Sequence, residues 1–388
     1  MLEKCLRSVF ETNKDVRVRV ILVDNASGDG ILDQVSLVFP QVNIVEMTTN
    51  AGFAAAVNRG LAEVTEPFVL TLNTDTVLTA GAVDRMVKAL GDAGDEVAGV
   101  APKMLSSSHQ GVIDAIGTVM PPTGASFNRG IGQCDLGQYD QPDEVAGVCF
   151  GATLLKRSLF DPQKVGPLFE GYFLYFEDSD WCMRATGQGY RFFTVPEAVV
   201  LHLHSGVTRH ESLDLKYRLI ELNTLRIVMR TFESPLLVLR IVTARCARLL
   251  ARTLIRRRFI SANLSTLASF FKELPRLINE RRQIRKKRTV SDRRVFWMSV
   301  GEDAFFDTVE YRPQRCLESL AATYQRLQRQ KPDPQTSKAL TALHQLKLQT
   351  AAPGTPGSKP KLSPETESLF AEQPQCVRDL ITLALHEE

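Results

Sequence analysis

Apolar residues Leu2, Cys5, Leu6, Val9 and Phe10 recur at helical spacing, so the sequence opens in a helix. The period then changes. Val16, Val18 and Val20 alternate with Arg17 and Arg19, and Ile21-Leu22-Val23 is continuous, which predicts a buried parallel strand over 16–23. It closes in the polar turn Asp24-Asn25-Ala26-Ser27-Gly28-Asp29-Gly30. A helix over 31–38 and a strand over 42–47 follow. Thr49-Asn50-Ala51-Gly52-Phe53 then leads into a helix that runs past Asn58 to Leu61. Phe68 to Leu72 predicts a further strand, ending in Asn73-Thr74-Asp75. A helix over 80–91 and a strand over 96–101 complete the first hundred residues. Strand and helix alternate, the pattern of a doubly wound α/β sheet.

That order points to chemistry, because open α/β sheets bind ligands beyond the carboxyl ends of their strands. The small residues around Gly52 let a helix start close to a ligand, with free N–H groups for phosphate or ribose. Asn73 and Asp75 lie two apart after a strand, so both can face one crevice and hold a divalent cation carrying a diphosphate. The chain lacks the G-x-x-x-x-G-K-[ST] loop of nucleotide hydrolases and the G-x-G-x-x-G of dinucleotide binders.

Residues 105–147 are rich in Gly, Pro, Ser and Gln and read as a long, partly mobile loop region with short strands. A strand over 148–155 precedes the most informative stretch, Phe173-Leu174-Tyr175-Phe176-Glu177-Asp178-Ser179-Asp180-Trp181-Cys182-Met183-Arg184. Aromatic residues run into three carboxylates, and a helix begins there and closes at Gly187 and Gly189. The helix dipole is expected to keep those carboxylates ionised. They suit an acidic N-cap, a general base or a metal ligand. Strands over 190–196 and 198–201 then lead to His202-Leu203-His204-Ser205-Gly206, where either histidine is a candidate metal ligand.

Composition narrows the class. The 388 residues are 44% hydrophobic and 23% charged, a globular balance with room for two or more domains. The 7 cysteines include no C-x-x-C pair, which predicts free thiols in a reducing compartment. No membrane-spanning run and no signal peptide are expected, which points to the cytoplasm.

Taken in order, Val23-Asp24-Asn25-Ala26-Ser27, Asn50 to Asn58, Leu72-Asn73-Thr74-Asp75, Gly151-Ala152, Tyr175 to Trp181 and Pro196-Glu197-Ala198 running to His202 form a series. This series resembles the family 2 glycosyltransferases of GT-A fold, in their bacterial rhamnosyltransferase-like branch, over roughly residues 1–235. The resemblance implies a metal-dependent, inverting transfer of a sugar, with rhamnose as first guess, from a nucleoside diphosphate donor to a glycan or lipid-linked saccharide acceptor. It also implies roles by position. Asp24 receives the nucleobase, with Asn25 and Ser27 shaping its turn. Asn50, Gly52 and Asn58 line the nucleotide-sugar wall, with Asn73 beside them. Asp75 and His202 hold Mg²⁺ or Mn²⁺, with His204 as the alternative ligand, and Asp178 is the general base. Glu177 and Asp180 are left to acceptor hydroxyls or to the helix start. Three departures stand out. The sequence opens in what resembles the family's first helix, without the strand before it, which implies a misplaced start or a truncated gene. Asn73 replaces the first Asp of a D-x-D pattern. Leu168-Phe169-Glu170 stands where Phe-Asp-Glu is usual, which bears on acceptor contacts.

From Leu213 the pattern is helical. Tyr217, Glu221, Asn223 and Arg226 resemble the Arg-Asn-containing helix of the same branch. Over 236–255, Arg240, Arg245, Arg248 and Arg252 share one side of a helix, and Leu239, Val242, Cys246, Leu249, Leu250 and Leu254 the other. Between 252 and 294 there are 14 Lys or Arg against 3 Asp or Glu. This profile predicts association with the inner face of the cytoplasmic membrane. A helix packed on the catalytic domain with a solvated charged face is the other reading. No recognition motif suggests nucleic acid. The expected organisation is a GT-A domain over 1–212, a basic helical region over 213–294, further helices over 295–349, and a linker with a short terminal helix over 350–388.

Overall fold

The computed structural model describes residues 1–203, 212–255, 259–300, 313–351, 362 and 364–385. His204, a candidate ligand, and most of the expected linker, 352–361, lie outside them.

The helix α1 (Leu2–Glu11) buries Cys5, Leu6 and Val9, the face its spacing predicts. It is followed by β1 (Ile21–Asp24), α2 (Ile31–Val38), β2 (Asn43–Glu46), α3 (Phe53–Leu61), β3 (Phe68–Leu72), β4 (Thr76–Leu78), α4 (Ala82–Gly91) and β5 (Val97–Ser106). Short strands β6 (Ile113–Ala115), β7 (Thr118–Val119), β8 (Phe127–Asn128) and β9 (Glu144–Val145) fill the Gly-rich region. Next come β10 (Ala152–Lys156), α5 (Glu177–Gly187) and β11 (Arg191–His202).

The main sheet has seven strands, ordered β3-β10-β5-β11-β4, with β6 on β5 and β9 on β11. It is mixed, whereas the alternation of strand and helix suggests a parallel sheet: β10 runs antiparallel to both β3 and β5, and β11 runs parallel to β5. The two strands read on either side of Pro196 are one. The ladder slips between Val195 and Val199, where proline has no N–H to donate, and pairing resumes up to His202. β1 pairs in parallel with β2 alone, as a separate two-stranded sheet. The strand expected from Val16 therefore begins only at Ile21, where ladder partners start.

The region read as partly mobile is held. Lys103 is buried and pairs with Asp135 and Asp140, and the Ser319 hydroxyl donates to the Gly132 carbonyl at 2.9 Å. The C-terminal helices do the holding. After α6 (Leu213–Thr231), α7 (Pro235–Ile255), α8 (Ile260–Lys287) and α9 (Arg293–Met298) come α10 (Pro313–Gln330), α11 (Pro334–Ala351), α12 (Pro364–Ala371) and α13 (Gln375–Leu385). The last four share one core, in which Val112 and Cys134 join Cys316, Leu320, Leu343 and Val377.

The alternative reading of α7, a packed helix with its charged face solvated, needs correction. Arg245, Arg248 and Arg252 do not form its outer face; all three converge on Glu221 of α6, at 3.2, 2.7 and 3.2 Å. Glu221 is buried, and an unpaired carboxylate there would be costly, so the arginines turn inward. Of the leucines on the side opposite the arginines, only Leu249 is buried; Leu239, Leu250 and Leu254 are exposed.

Candidate active site

Strand β3 ends in the turn Asn73–Asp75. The Asn73 N–H donates to Gly151 at 2.8 Å, and the Thr76 hydroxyl donates back to Asn73 at 2.6 Å. Strand β11 closes on the same turn, because His202 pairs with Thr76 and the Leu203 N–H donates to the Asp75 carbonyl. Asp75 and His202, 127 residues apart in sequence, are thereby set face to face, with His202 Nε2 3.3 Å from Asp75 Oδ1. The other ring nitrogen, Nδ1, lies 2.8 Å from Asp114 Oδ2 on β6. Burial alone would lower the His202 pKa. The hydrogen bond to Asp114 and the close carboxylate of Asp75 outweigh burial and raise it to about 9. Asp75 Oδ1 is buried and receives no well-directed hydrogen bond. An unsatisfied carboxylate oxygen beside an imidazole that a second carboxylate orients fits a divalent cation. Among the described residues no group of three His, Cys, Asp or Glu forms a complete cage. Two protein ligands suit a magnesium-like ion that takes its other oxygens from phosphate and water.

The acidic stretch adjoins this turn. Gly151 lies against Asn73, the Phe150 N–H donates to Asp178 Oδ2 at 3.4 Å, and the Cys149 thiol is raised by burial and then by the charge of Asp178, with Asp114 adding to the rise. Asp178 also accepts from the Ser179 N–H at 2.6 Å and the Ser179 hydroxyl at 3.1 Å. For Glu177 and Asp178, burial opposes the helix dipole that was expected to keep them ionised. Desolvation raises Asp178, despite the bonds from Ser179 and Phe150, and pushes Glu177 up to about 8. Glu177 Oε2 is buried without a partner.

The backbone before α5 is unusual. Tyr175 and Phe176 have φ of 71° and 74°, a left-handed conformation rare for aromatic residues. Such residues cost about 1–3 kcal/mol each and persist only where the surroundings hold them. Asn223 of α6 provides the hold, donating its amide to the carbonyls of Leu174 (2.8 Å) and Tyr175 (2.9 Å).

The nucleotide-wall residues form a second cluster. Asn25 donates to Asn50 Oδ1 at 3.0 Å and accepts from the Ala51 N–H at 3.0 Å, while Asn50 Oδ1 also takes the Gly52 N–H at 3.1 Å. Asp24 accepts the Ser27 N–H at 3.2 Å, closing the turn after β1. Gly52 has φ of 88°, and a Cβ there would sit 2.2 Å from the Phe173 carbonyl oxygen, which the Phe53 N–H bonds at 2.9 Å. That contact ties the nucleotide turn to the acidic loop. Asn58 is engaged elsewhere, donating to Leu168 and Glu170 and accepting from the Leu168 N–H. Both of its amide atoms thus hold the loop where the tripeptide departs from the family pattern.

Sequence reasoning missed Asp114, although it is a lone carboxylate in the apolar run Ile113-Asp114-Ala115-Ile116. Asn223 stood out only as part of the Arg-Asn-containing helix pattern, and its clamp on the strained loop was not read from it.

Residues 1–161 match the family model of Glycosyl transferase family 2. An N-acetylglucosaminyl-diphospho-decaprenol L-rhamnosyltransferase of Mycobacterium tuberculosis is 28% identical over 209 residues, covering 48% of this chain and 66% of the relative. The chain thus spans just under two thirds of that relative's length. A mannosyltransferase of Pyrobaculum calidifontis, solved with GDP-Man and Mn²⁺, is similar at 17% identity and a TM-score of 0.41, covering 74% of this chain and 81% of that one. Residues 1–349 of Staphylococcus aureus TarS are similar at 12% identity and a TM-score of 0.41, covering 94% and 93%.

Proposed function

We propose, from the match of residues 1–161 to the family model of Glycosyl transferase family 2, that this protein moves a sugar from a nucleoside diphosphate donor to a hydroxyl of a glycan or lipid-linked saccharide. The transfer inverts the anomeric centre, and rhamnose is the first candidate sugar. The chain works peripherally at the inner face of the cytoplasmic membrane. The observation that carries the reading is the pairing of Asp75 and His202, with the buried Asp75 Oδ1 left unsatisfied.

Each residue has a defined task. The turn at Asp24 and Ser27 receives the base. The Asn25–Asn50 clasp and Gly52 hold the donor against the acidic loop, with Asn73 lining the same crevice. Asp75 and His202 hold Mg²⁺ or Mn²⁺, and Asp114 keeps the imidazole in place. When bound, the cation supplies charge to offset the developing diphosphate. Asp178 takes the proton of the attacking hydroxyl, and its raised pKa makes it a stronger base than an exposed aspartate. Glu177 Oε2, buried and unpartnered, is left to bind an acceptor hydroxyl.

The test is release of nucleoside diphosphate by purified protein from a panel of nucleotide sugars. Release in Asp75→Ala should fall by orders of magnitude and should not recover with added Mn²⁺. Wild-type turnover in both Asp75→Ala and Asp178→Ala would refute the assignment. One observation favours a second reading, a catalytically impaired scaffold of a glycan assembly complex. Strand β1, which carries the Asp24 turn, is hydrogen-bonded to β2 and not to the main sheet. Nucleotide binding by calorimetry without turnover on any donor would select that reading.

A further inference from the structure

Two of the free cysteines meet at the seam between the Gly-rich region and the C-terminal helices. Cys134 pairs across an isolated antiparallel bridge with Val112, and the Asp135 N–H donates to the Gly111 carbonyl at 2.8 Å. The same Gly111-Val112 backbone flanks Cys376 near the start of α13, because a Cβ on Gly111 would sit 3.4 Å from its Sγ. A left-handed φ of 73° favours glycine at 111, and so leaves this sulfur uncrowded. Both side chains lie in the apolar core of α10–α13. Their sulfurs are hydrogen-bonded to each other, with the Cys134 thiol donating.

The two sulfurs are not equivalent. The bond from Cys134 draws the Cys376 thiol below its ordinary pKa, against burial, and the N–H groups of Val377 and of Cys376 itself add to the effect. The same bond, and then burial, raise Cys134. Cys376 is 5% exposed, whereas Cys134 is wholly enclosed. The sulfur richer in thiolate is thus also the one that a small oxidant reaches first. Cys149 and Cys182, near the acidic stretch, are raised by burial instead. Among the described residues no group of three His, Cys, Asp or Glu surrounds the pair, which favours sulfur–sulfur chemistry over a metal site.

We propose that Cys134 and Cys376 form a peroxide-sensitive dithiol, whose oxidation staples α13 to the Gly-rich region. The Cys376 sulfur bonds to one oxygen of hydrogen peroxide as the O–O bond breaks. The other oxygen leaves as hydroxide, which the displaced thiol proton turns into water. The Cys134 sulfur then attacks the sulfenic acid on Cys376, and the S–O bond breaks. That oxygen leaves with the Cys134 proton as a second water. The two thiols lose two electrons, and one peroxide gains them. Sulfurs already in hydrogen-bond contact need only small side-chain shifts to reach the bonded distance of about 2 Å. The stapled backbone continues from Val112 through Ile113 to Asp114, whose carboxylate holds His202, so the bond lies two residues from the site's own support. The dithiol itself does not depend on the transferase reading.

The test is peptide mapping by mass spectrometry of full-length protein that has been reduced, desalted and exposed to hydrogen peroxide. A disulfide joining Cys134 to Cys376 should appear, two hydrogens lighter than the reduced pair, and dithiothreitol should reverse it. Oxidised protein should unfold a few degrees above the reduced form, because the bond closes a long loop. In Cys134→Ala, dimedone should capture a sulfenic acid on Cys376. In Cys376→Ala, capture at Cys134 should be roughly tenfold lower or less. A pair that stays reduced while Cys149 or Cys246 is oxidised would overturn the proposal, and that result is read on the wild-type chain, with no variant that has to fold. So would disulfides scattered among other cysteines, equal capture in the two variants, or an oxidised form no more stable than the reduced one.

Discussion

The two faces of helix α5 carry carboxylates two residues apart with opposite fates. On one face Asp180 is fully buried, yet it is held by Arg184 at 2.9 Å and by Arg230 of α6 at 2.6 Å, with the Tyr172 hydroxyl at 3.3 Å. Arg230 continues to Glu280 of α8 at 2.9 Å, so this node fastens the α/β region to the helices behind it. On the other face, among the described residues, Asp178 has N–H and hydroxyl donors from Ser179 and Phe150 and no arginine, and its pKa is raised. A carboxylate neutralised by two arginines is a rivet, and one without a cation retains the proton affinity that a base requires. The difference lies in where Arg184 of the same helix and Arg230 of α6 arrive, not in the carboxylates.

Substitution should separate the two faces. Asp178→Asn removes the proton acceptor, and turnover should fall by roughly 10²–10⁴-fold with the thermal midpoint nearly unchanged. Asp180→Asn should show the reverse pattern, a loss of about 3–5 kcal/mol in chemical denaturation, because Arg184 and Arg230 are left buried without their charge partner. Comparable losses of turnover and stability in both variants would erase the distinction.

A smaller effect is expected where α6 holds the strained loop. Asn223→Ala removes both amide bonds to Leu174 and Tyr175 and should cost about 1–3 kcal/mol of stability. Relaxation of Tyr175 and Phe176 should also move Asp178, so kcat should drop more than KM rises. Asn223→Asp keeps an acceptor but loses the donors and should not restore kcat.

The mildest probe is pH. The folded-state pKa of Glu177 is raised to about 8. Its proton is thus bound more tightly in the folded chain, and the associated stability is complete below its unfolded value and is lost as pH rises through about 8. In EDTA-treated protein the denaturation midpoint should decline over that window, and Glu177→Gln should flatten the decline.

Much of the first region was legible from sequence, because the periods of 2 and 3.6 register burial directly. Phe68–Leu72 and the face of α1 are where the spacing puts them, and turn residues mark Asp24 to Gly30 and Asn73 to Asp75. The pairing of strands was not legible. The antiparallel insertion of β10 between β3 and β5 depends on a partner more than fifty residues away, and so does the single bulged strand through Pro196. The helical wheel of α7 separated its two faces but did not show which of them packs inward. A buried Glu221 on another helix claims the arginines, and no periodicity within α7 records that demand.

What the sequence determined by itself is the local grammar: which segments form strands and helices, where chain turns interrupt them, and which residue types can hold phosphate, metal or a proton. Tertiary structure alone decided which of those residues meet and in what state of charge. Asp75 needed His202 and Asp114, and Asp178 needed burial with no arginine paired to it among the described residues, and both conditions are set by contacts across many tens of residues. Burial raises or lowers proton affinity only once the chain has closed around a group. The same three acidic letters could therefore become a rivet, a base and a neutral acid only in the folded molecule.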